Sequence, residues 1–215
     1  ITEENIPMVR GASQVFGLSF IPGSWVESMQ VTKGIGSVVN GFESISGQVN
    51  IELNKPISDV PTYINIFRNN MGRNELNFHF NRMINEKLST GLFIHADHRK
   101  EKYDGNNDGF LDTPLAEGYN IFNRWQLTDL EKGVVSFFGI KFMKNEKEGG
   151  EKFDNNSLSS KLWLSEVKTE IFDTSFKFGY VNPNIPYQSL GFQVAYSDHD
   201  QNSFFGIRNY DITHR

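Results

Sequence analysis

The residues with the most chemical potential stand in one polar stretch, Asp104-Gly-Asn106-Asn-Asp108-Gly109-Phe110-Leu-Asp112. Side-chain oxygens occupy its first, third and fifth positions, glycine the sixth and a carboxylate the ninth. Calcium takes roughly six to eight oxygen ligands. This loop supplies them from Asp104, Asn106, Asp108, the carbonyl of Phe110 and, directly or through water, Asp112. The bidentate glutamate that closes such loops is missing: Leu115 stands in its place and Glu117 is out of register. Three carboxylates this close repel one another in a compact loop, which argues for a cation. Such calcium would be structural, and no other cofactor is required. Asn, Asp and Gly are also the ordinary residues of Asx turns, so that reading stays open beside calcium.

A second cluster is His95, Asp97 and His98. In an extended strand His95 and Asp97 share a face while His98 points away. Ligation by all three therefore needs a bend, and a hydrogen bond to a neighbouring strand is the plainer role. No catalytic arrangement stands out. The Ser and His residues are scattered, and neither G-x-S-x-G nor H-E-x-x-H occurs. The chain is expected not to be an enzyme. His199, between Asp198 and Asp200, reads as a solvated polar run.

The elements that must position these groups are strands. From Thr62 onward, apolar and polar residues alternate with period two. Leu76, Phe78 and Phe80 oppose Asn77, His79 and Asn81. Leu92, Ile94 and Ala96 oppose Gly91, His95 and Asp97. The same pattern recurs around Ile121–Leu127, Phe138–Phe142, Phe172–Tyr180 and Leu190–Tyr196. That predicts about seven strands of roughly ten residues, the membrane-crossing length for a tilted strand. Tight turns are expected at Ile84–Lys87, Asp129–Gly133 and Asn182–Tyr187. Longer loops are expected at His98–Gly118 and Asn145–Val167, and in the tail from His199. Short turns at one end and long loops at the other mark an outer-membrane barrel, with the short Asn69–Arg73 connection on the long-loop side as an exception. The apolar face is heavily aromatic, and the other carries Asn, His, Gln, Ser, Gly and Lys, which suits a wet lumen. A soluble antiparallel sandwich also alternates, so a calcium-stabilised β-sandwich that binds glycans or proteins is the competing class.

Composition narrows the choice. The chain has 215 residues, a net charge of −5 and no cysteine, so neither a disulfide framework nor a thiolate metal site can form. The acidic balance argues against nucleic acid as a partner. The mean hydropathy of −0.45 offers no membrane helix, which leaves a barrel open because its strands are apolar only at alternate residues.

Ahead of the alternating region lies Ile21 to Leu53, IPGSWVESMQVTKGIGSVVNGFESISGQVNIEL. Val26, Met29 and Val31 mark one strand, and Val49, Ile51 and Leu53 a second. Gly34, Gly36, Gly41 and Gly47 stand between them, without the G-x-G-x-x-G or G-K-[ST] of a phosphate cradle. In this stretch Val26-Glu27, Met29, Val31, Lys33-Gly34, Ser37, Gly41, Ile45 and Gly47-x-Val49-Asn50-Ile51 fall in fixed order without a gap. This order resembles the end of the plug domain of TonB-dependent outer-membrane receptors. Gln30, Ile35, Asn40 and Ser46 depart from that family's usual acid, proline, aromatic residue and glycine.

The resemblance implies a mostly β chain in three parts: the C-terminal part of a plug (residues 1–55), a proline-bounded linker (56–61) and the N-terminal part of a transmembrane antiparallel β-barrel (62–215). The chain would then be a fragment, with the signal, coupling segment and further barrel strands outside it. The implied function is active uptake of a scarce solute at the outer membrane of a Gram-negative bacterium. A siderophore, haem, cobalamin, oligosaccharide or metal chelate would fit. The implied partners are outer-membrane lipid, an inner-membrane TonB energy-transducing complex, the solute and a surface lipoprotein. Gln14 and Phe16 are the expected substrate contacts, in a loop at the plug apex; Phe16 and Phe20 also suit a plainer role as anchors of that loop to the core.

Overall fold

A computed structural model describes residues 1–9, 11–35, 44–152, 162–185, 187–206 and 208–214. Four short strands form a first sheet: β1 (Thr2–Glu3), β2 (Ile6–Pro7), β3 (Val26–Lys33) and β4 (Gly47–Leu53), in the order β2-β1-β4-β3. β3 runs antiparallel to β4, with Met29 opposite Ile51 and Val31 opposite Val49. β1 runs parallel to β4, with Thr2 opposite Asn50. Glu4 and Asn5 link β1 to β2 with φ of 51° and 64°. A two-residue hairpin needs two such left-handed residues to match the strand twist. Asn50 is buried and holds the hairpin, its Oδ1 accepting from Thr2 Oγ1 and from Asn5 N at 2.8 Å each. Three 3-10 turns, Gly11–Val15, Gly17–Phe20 and Gly23–Trp25, lead on to β3. Of the glycine-rich link, Gly36, Ser37, Asn40 and Gly41 lie outside the described residues.

The second sheet is an eight-stranded antiparallel meander: β5 (Thr62–Arg68), β6 (Arg73–Met83), β7 (Leu88–Arg99), β8 (Leu115–Asp129), β9 (Val134–Gly150), β10 (Leu164–Val181), β11 (Ser189–Phe205) and β12 (Arg208–His214). Each strand pairs with its neighbours in sequence, and β5 and β12 are the edges. The linker at residues 56–61 lies between the two sheets. Its Asp59 accepts from Asn81 Nδ2 at 2.8 Å and sits 3.4 Å from His79 Nδ1.

Two expectations about length need correcting. The sheet has eight strands rather than about seven, because the tail from His199 continues β11 and turns back at Gly206 into β12. The long loop expected at Asn145–Val167 begins and ends as strand, since β9 reaches Gly150 and β10 starts at Leu164. The apolar signal stops at Phe142 and Phe172, but the backbone ladder does not depend on apolar side chains. Beyond that row Lys144 pairs with Glu146 and Glu170 at 3.2 and 3.5 Å, and Lys168 with Glu166 at 2.7 Å. The Lys144–Glu170 pair is cross-strand and the other two run along one strand, and opposite charges so placed suit a solvated continuation of the sheet.

The first sheet and its 3-10 turns lie against one face of the second. That face is mostly polar, with Asn77, His79, Asn81, His95, Asn120, Arg124, Gln126, Lys141 and Thr169 all buried. Among the buried apolar residues that interrupt it are Phe93, Phe122, Met143 and Ile171. They meet Met8, Val9, Phe20, Ile21, Trp25, Ile51 and Leu53 in a single core cluster. Trp25, only 1% exposed, sits 5.9 Å from the Phe93 ring and 6.2 Å from that of Phe122. The opposite face stays uncovered. Ile64, Leu76, Phe80, Ile121, Trp125, Phe138, Ile140, Phe142, Phe172, Phe192 and Val194 are all exposed on it. Register aligns them in rows: Ile64, Phe78, Ile94, Ile121, Phe142 and Phe172 are successive cross-strand partners.

Candidate functional site

Where the 3-10 turns meet one end of the large sheet, a polar cleft of about 340 Å³ opens. Its floor is a set of cross-strand rows fixed by register. The deepest row brings Asn77 beside His95 and Asn120. The next brings Glu75 beside Asp97, Gly118 and Asn145, and the outermost brings Arg73 beside Arg99, Ala116 and Lys147. Residues two apart on a strand share a face, so β6, β7 and β9 each contribute to successive rows from the same side. The roof is Ser19, Ile21, Pro22 and Gly23.

Hydrogen bonds lock the lower rows. His95 Nδ1 lies 2.8 Å from Asn77 Oδ1, which also accepts from Ser24 Oγ at 2.9 Å. His95 Nε2 lies 3.3 Å from Asp97 Oδ1. Glu75 takes Asn77 Nδ2 at 3.0 Å on one oxygen and Arg73 at 2.8 Å on the other. The outermost row is less satisfied. Among the described residues Arg99 donates from its side chain to the Pro114 carbonyl alone, at 3.3 Å. Lys147 donates to Ser19 Oγ at 2.8 Å and lies 5.6 Å from the centre of the Phe16 ring. Burial there pushes the Lys147 ammonium below its ordinary pKa, against the opposing pull of Asp97.

The expected site residues are distributed as follows. His95 and Asp97 share the cleft, and the strand-to-strand hydrogen bond is realised through Asn77, while exposed His98 on the other face meets Asn74 at 3.4 Å. Phe16 is half-buried beneath Lys147, whereas Gln14 is exposed and reaches the Val9 carbonyl at 3.5 Å. Asp104, Asn106, Asp108, Phe110 and Asp112 gather in a loop docked on the end of β9, where Leu111 N donates to Gly150 O at 2.8 Å. Their oxygens accept from the loop itself: Gly109 N to Asp104, Phe110 N to Asp108, Gly105 N to Asp112 and Asp108 N to Asn106. Gly109 makes the sharp turn with φ of +86°. Among the described residues, no group of three or more His, Asp or Glu side chains is arranged to hold a metal. Asp104 Oδ1 is nevertheless buried without a hydrogen bond.

No family model matches the chain, and no curated protein matches it.

A second constellation ties the two sheets together. Glu3 meets Lys141 at 2.8 Å, and Lys141 meets Asp173 at 3.2 Å. Glu4 meets Arg124 at 2.8 Å and Lys177 at 3.6 Å, and Arg124 also donates to the Leu53 and Asn54 carbonyls. A cavity of about 550 Å³ lies beside this junction, under β9 to β11. Sequence reasoning passed over Arg73, Glu75, Arg99 and Lys147 in the cleft, and Glu3, Glu4 and Arg124 at the junction. Parity was the available signal for the cleft: Arg99 follows His95 and Asp97 in step, and Glu75 and Arg73 precede Asn77 in step. Nothing local marked Glu3 or Glu4, whose partners lie more than a hundred residues away in sequence.

Proposed function

We propose that the chain is part of a TonB-dependent outer-membrane receptor that actively takes up a scarce solute. The observation that carries this reading is the inversion of the large sheet. A soluble sandwich buries its apolar face against its second sheet. Here the second sheet lies on the polar face, and rows of Phe, Ile, Leu and Trp are left uncovered. An exposed apolar surface of this extent has a partner, and lipid is the partner that suits a band running unbroken across strands. The band also has the right height. On β10 its outward residues run from Phe172 to Tyr180. At about 3.3 Å per residue and a tilt of about 40°, that gives roughly 20 Å, close to the apolar belt of about 25 Å on such barrels.

In this reading the small sheet is the plug, the polar face is the lumen wall, and the cleft under Ser19–Gly23 faces the incoming solute. The order of the chain, glycine-rich β3–β4 first and alternating strands after, supports it, as do the short turns at one end of the sheet. The test is amphiphile dependence of the full-length protein. The expected result is recovery in the outer-membrane fraction, release only by detergent, and heat-modifiable mobility in electrophoresis. A monomer that stays folded in plain buffer overturns it in favour of the sandwich.

A further inference from the structure

We infer that the cleft binds an oxyanion of the incoming solute, a carboxylate or phosphate group, on the row formed by Arg73, Arg99 and Lys147. The inference rests on the receptor reading for its orientation, with this row outermost toward the solute. Register makes Arg73 and Arg99 direct cross-strand partners, and Lys147 follows two strands beyond Arg99, across the small Ala116. Like charges placed directly opposite one another destabilise a sheet unless something compensates them. The row beneath compensates only in part. Glu75 is engaged by Arg73 and Asn77, and Asp97 by His95. Among the described residues Arg99 and Lys147 form no ion pair; their partners are a carbonyl and a hydroxyl.

Neutral acceptors leave both groups without a direct ion-pair partner among the described residues: Asp97 acts on Lys147 without contacting it, and Lys147 is partly desolvated over the Phe16 ring. Ala116, between Arg99 and Lys147, keeps the space above the row open. A guanidinium presents paired N–H donors that match two oxygens of one carboxylate or phosphate, and the ammonium adds a point charge at the far side. A neutral solute would leave this row as it is.

The test is calorimetry on the detergent-solubilised full-length protein with citrate, inorganic phosphate and the neutral sugar maltotriose as probes. Citrate or phosphate is expected to bind with an affinity that falls as salt is raised, and maltotriose to give no heat. The double variant R99Q/K147Q is expected to weaken the anion at least tenfold, while R99K/K147R, which keeps both charges, retains most of it. Preference between citrate and phosphate separates carboxylate from phosphate recognition. No heat with either anion, or full binding by R99Q/K147Q, overturns the inference. Should R99Q/K147Q fail to fold, the wild-type anion titrations and R99K/K147R decide. A protein that inserts in the membrane yet binds neither anion loses only this inference, whereas one that needs no amphiphile loses the receptor reading whatever it binds.

Discussion

Glu4 shows how much one side chain carries in this fold. It occupies a left-handed conformation that costs a non-glycine residue about 1–2 kcal/mol, and its carboxylate reaches Arg124 and Lys177. Removing one member of a buried ion pair costs about 3–5 kcal/mol. Arg124 keeps two backbone carbonyls, so Glu4→Gln is expected at the lower end, about 3 kcal/mol. Hydrogen exchange should show this as a loss of protection of roughly a hundredfold or more in residues 1–9, with the β-ladder of β7 and β8 unchanged; equal protection in the variant would refute it. The loop from Asp104 to Asp112 poses a different question at the same scale. Its carboxylates already take backbone N–H donors, which offsets part of the repulsion that argued for calcium, yet Asp104 Oδ1 remains free. The expected calcium affinity is therefore that of extracellular modules, about 10⁻⁴–10⁻³ M, and lost in Asp108→Ala. Calorimetry of the full-length protein checks it, and the absence of calcium-dependent heat would leave these residues as Asx acceptors alone.

At the scale of elements, the small sheet is held to the large one through Trp25 and its two ring partners. Trp25→Ala deletes the centre of the core cluster, and a truncation of that size costs about 3–5 kcal/mol. The loss should appear as a lower urea midpoint for undocking of the small sheet, followed in detergent by exchange of the β4 amides. The β8–β9 turn depends on Gly133, whose φ is +66° and where a Cβ would collide with the Val181 carbonyl oxygen. Gly133→Ala is expected to cost more than about 1 kcal/mol and to show first as fraying of β8 against β9. Alternation made most strands and both faces of the large sheet legible in the sequence, because its side-chain period of two survives any loop length. It also named His95 and Asp97 for the cleft. What it could not supply was packing between distant segments. Phe93 and Phe122 break the polar face because they serve Trp25, and no local pattern announces that. The charged ends of β9 and β10 were hidden for a related reason: Glu146 and Glu166 read as loop until the register carries both strands past them.

Across the whole molecule, the decisive question is what covers the aromatic face. Phe138 sits in the middle of the band, with Trp125 and Phe176 as its cross-strand partners and Val194 one strand beyond. If lipid covers it, arginine there must bring a charge to the bilayer interior, at a cost of about 2–4 kcal/mol near the midplane. Glu146 is two outward positions past Phe142, above the band among the paired charges of the strand extensions. Arginine there meets water, so Glu146→Arg is expected to leave folding into the bilayer within about 0.5 kcal/mol of wild type. The two substitutions add the same side chain to the same face of the same strand and differ only in depth. Urea unfolding of the full-length protein from phospholipid vesicles therefore isolates the membrane contribution. A soluble sandwich makes the opposite demand, because an arginine on its water-facing surface costs next to nothing at either position. Equal stability of Phe138→Arg and Glu146→Arg would remove the bilayer from the account, whereas a penalty confined to Phe138 would place this face in lipid and the polar face, with its cleft, on the inside.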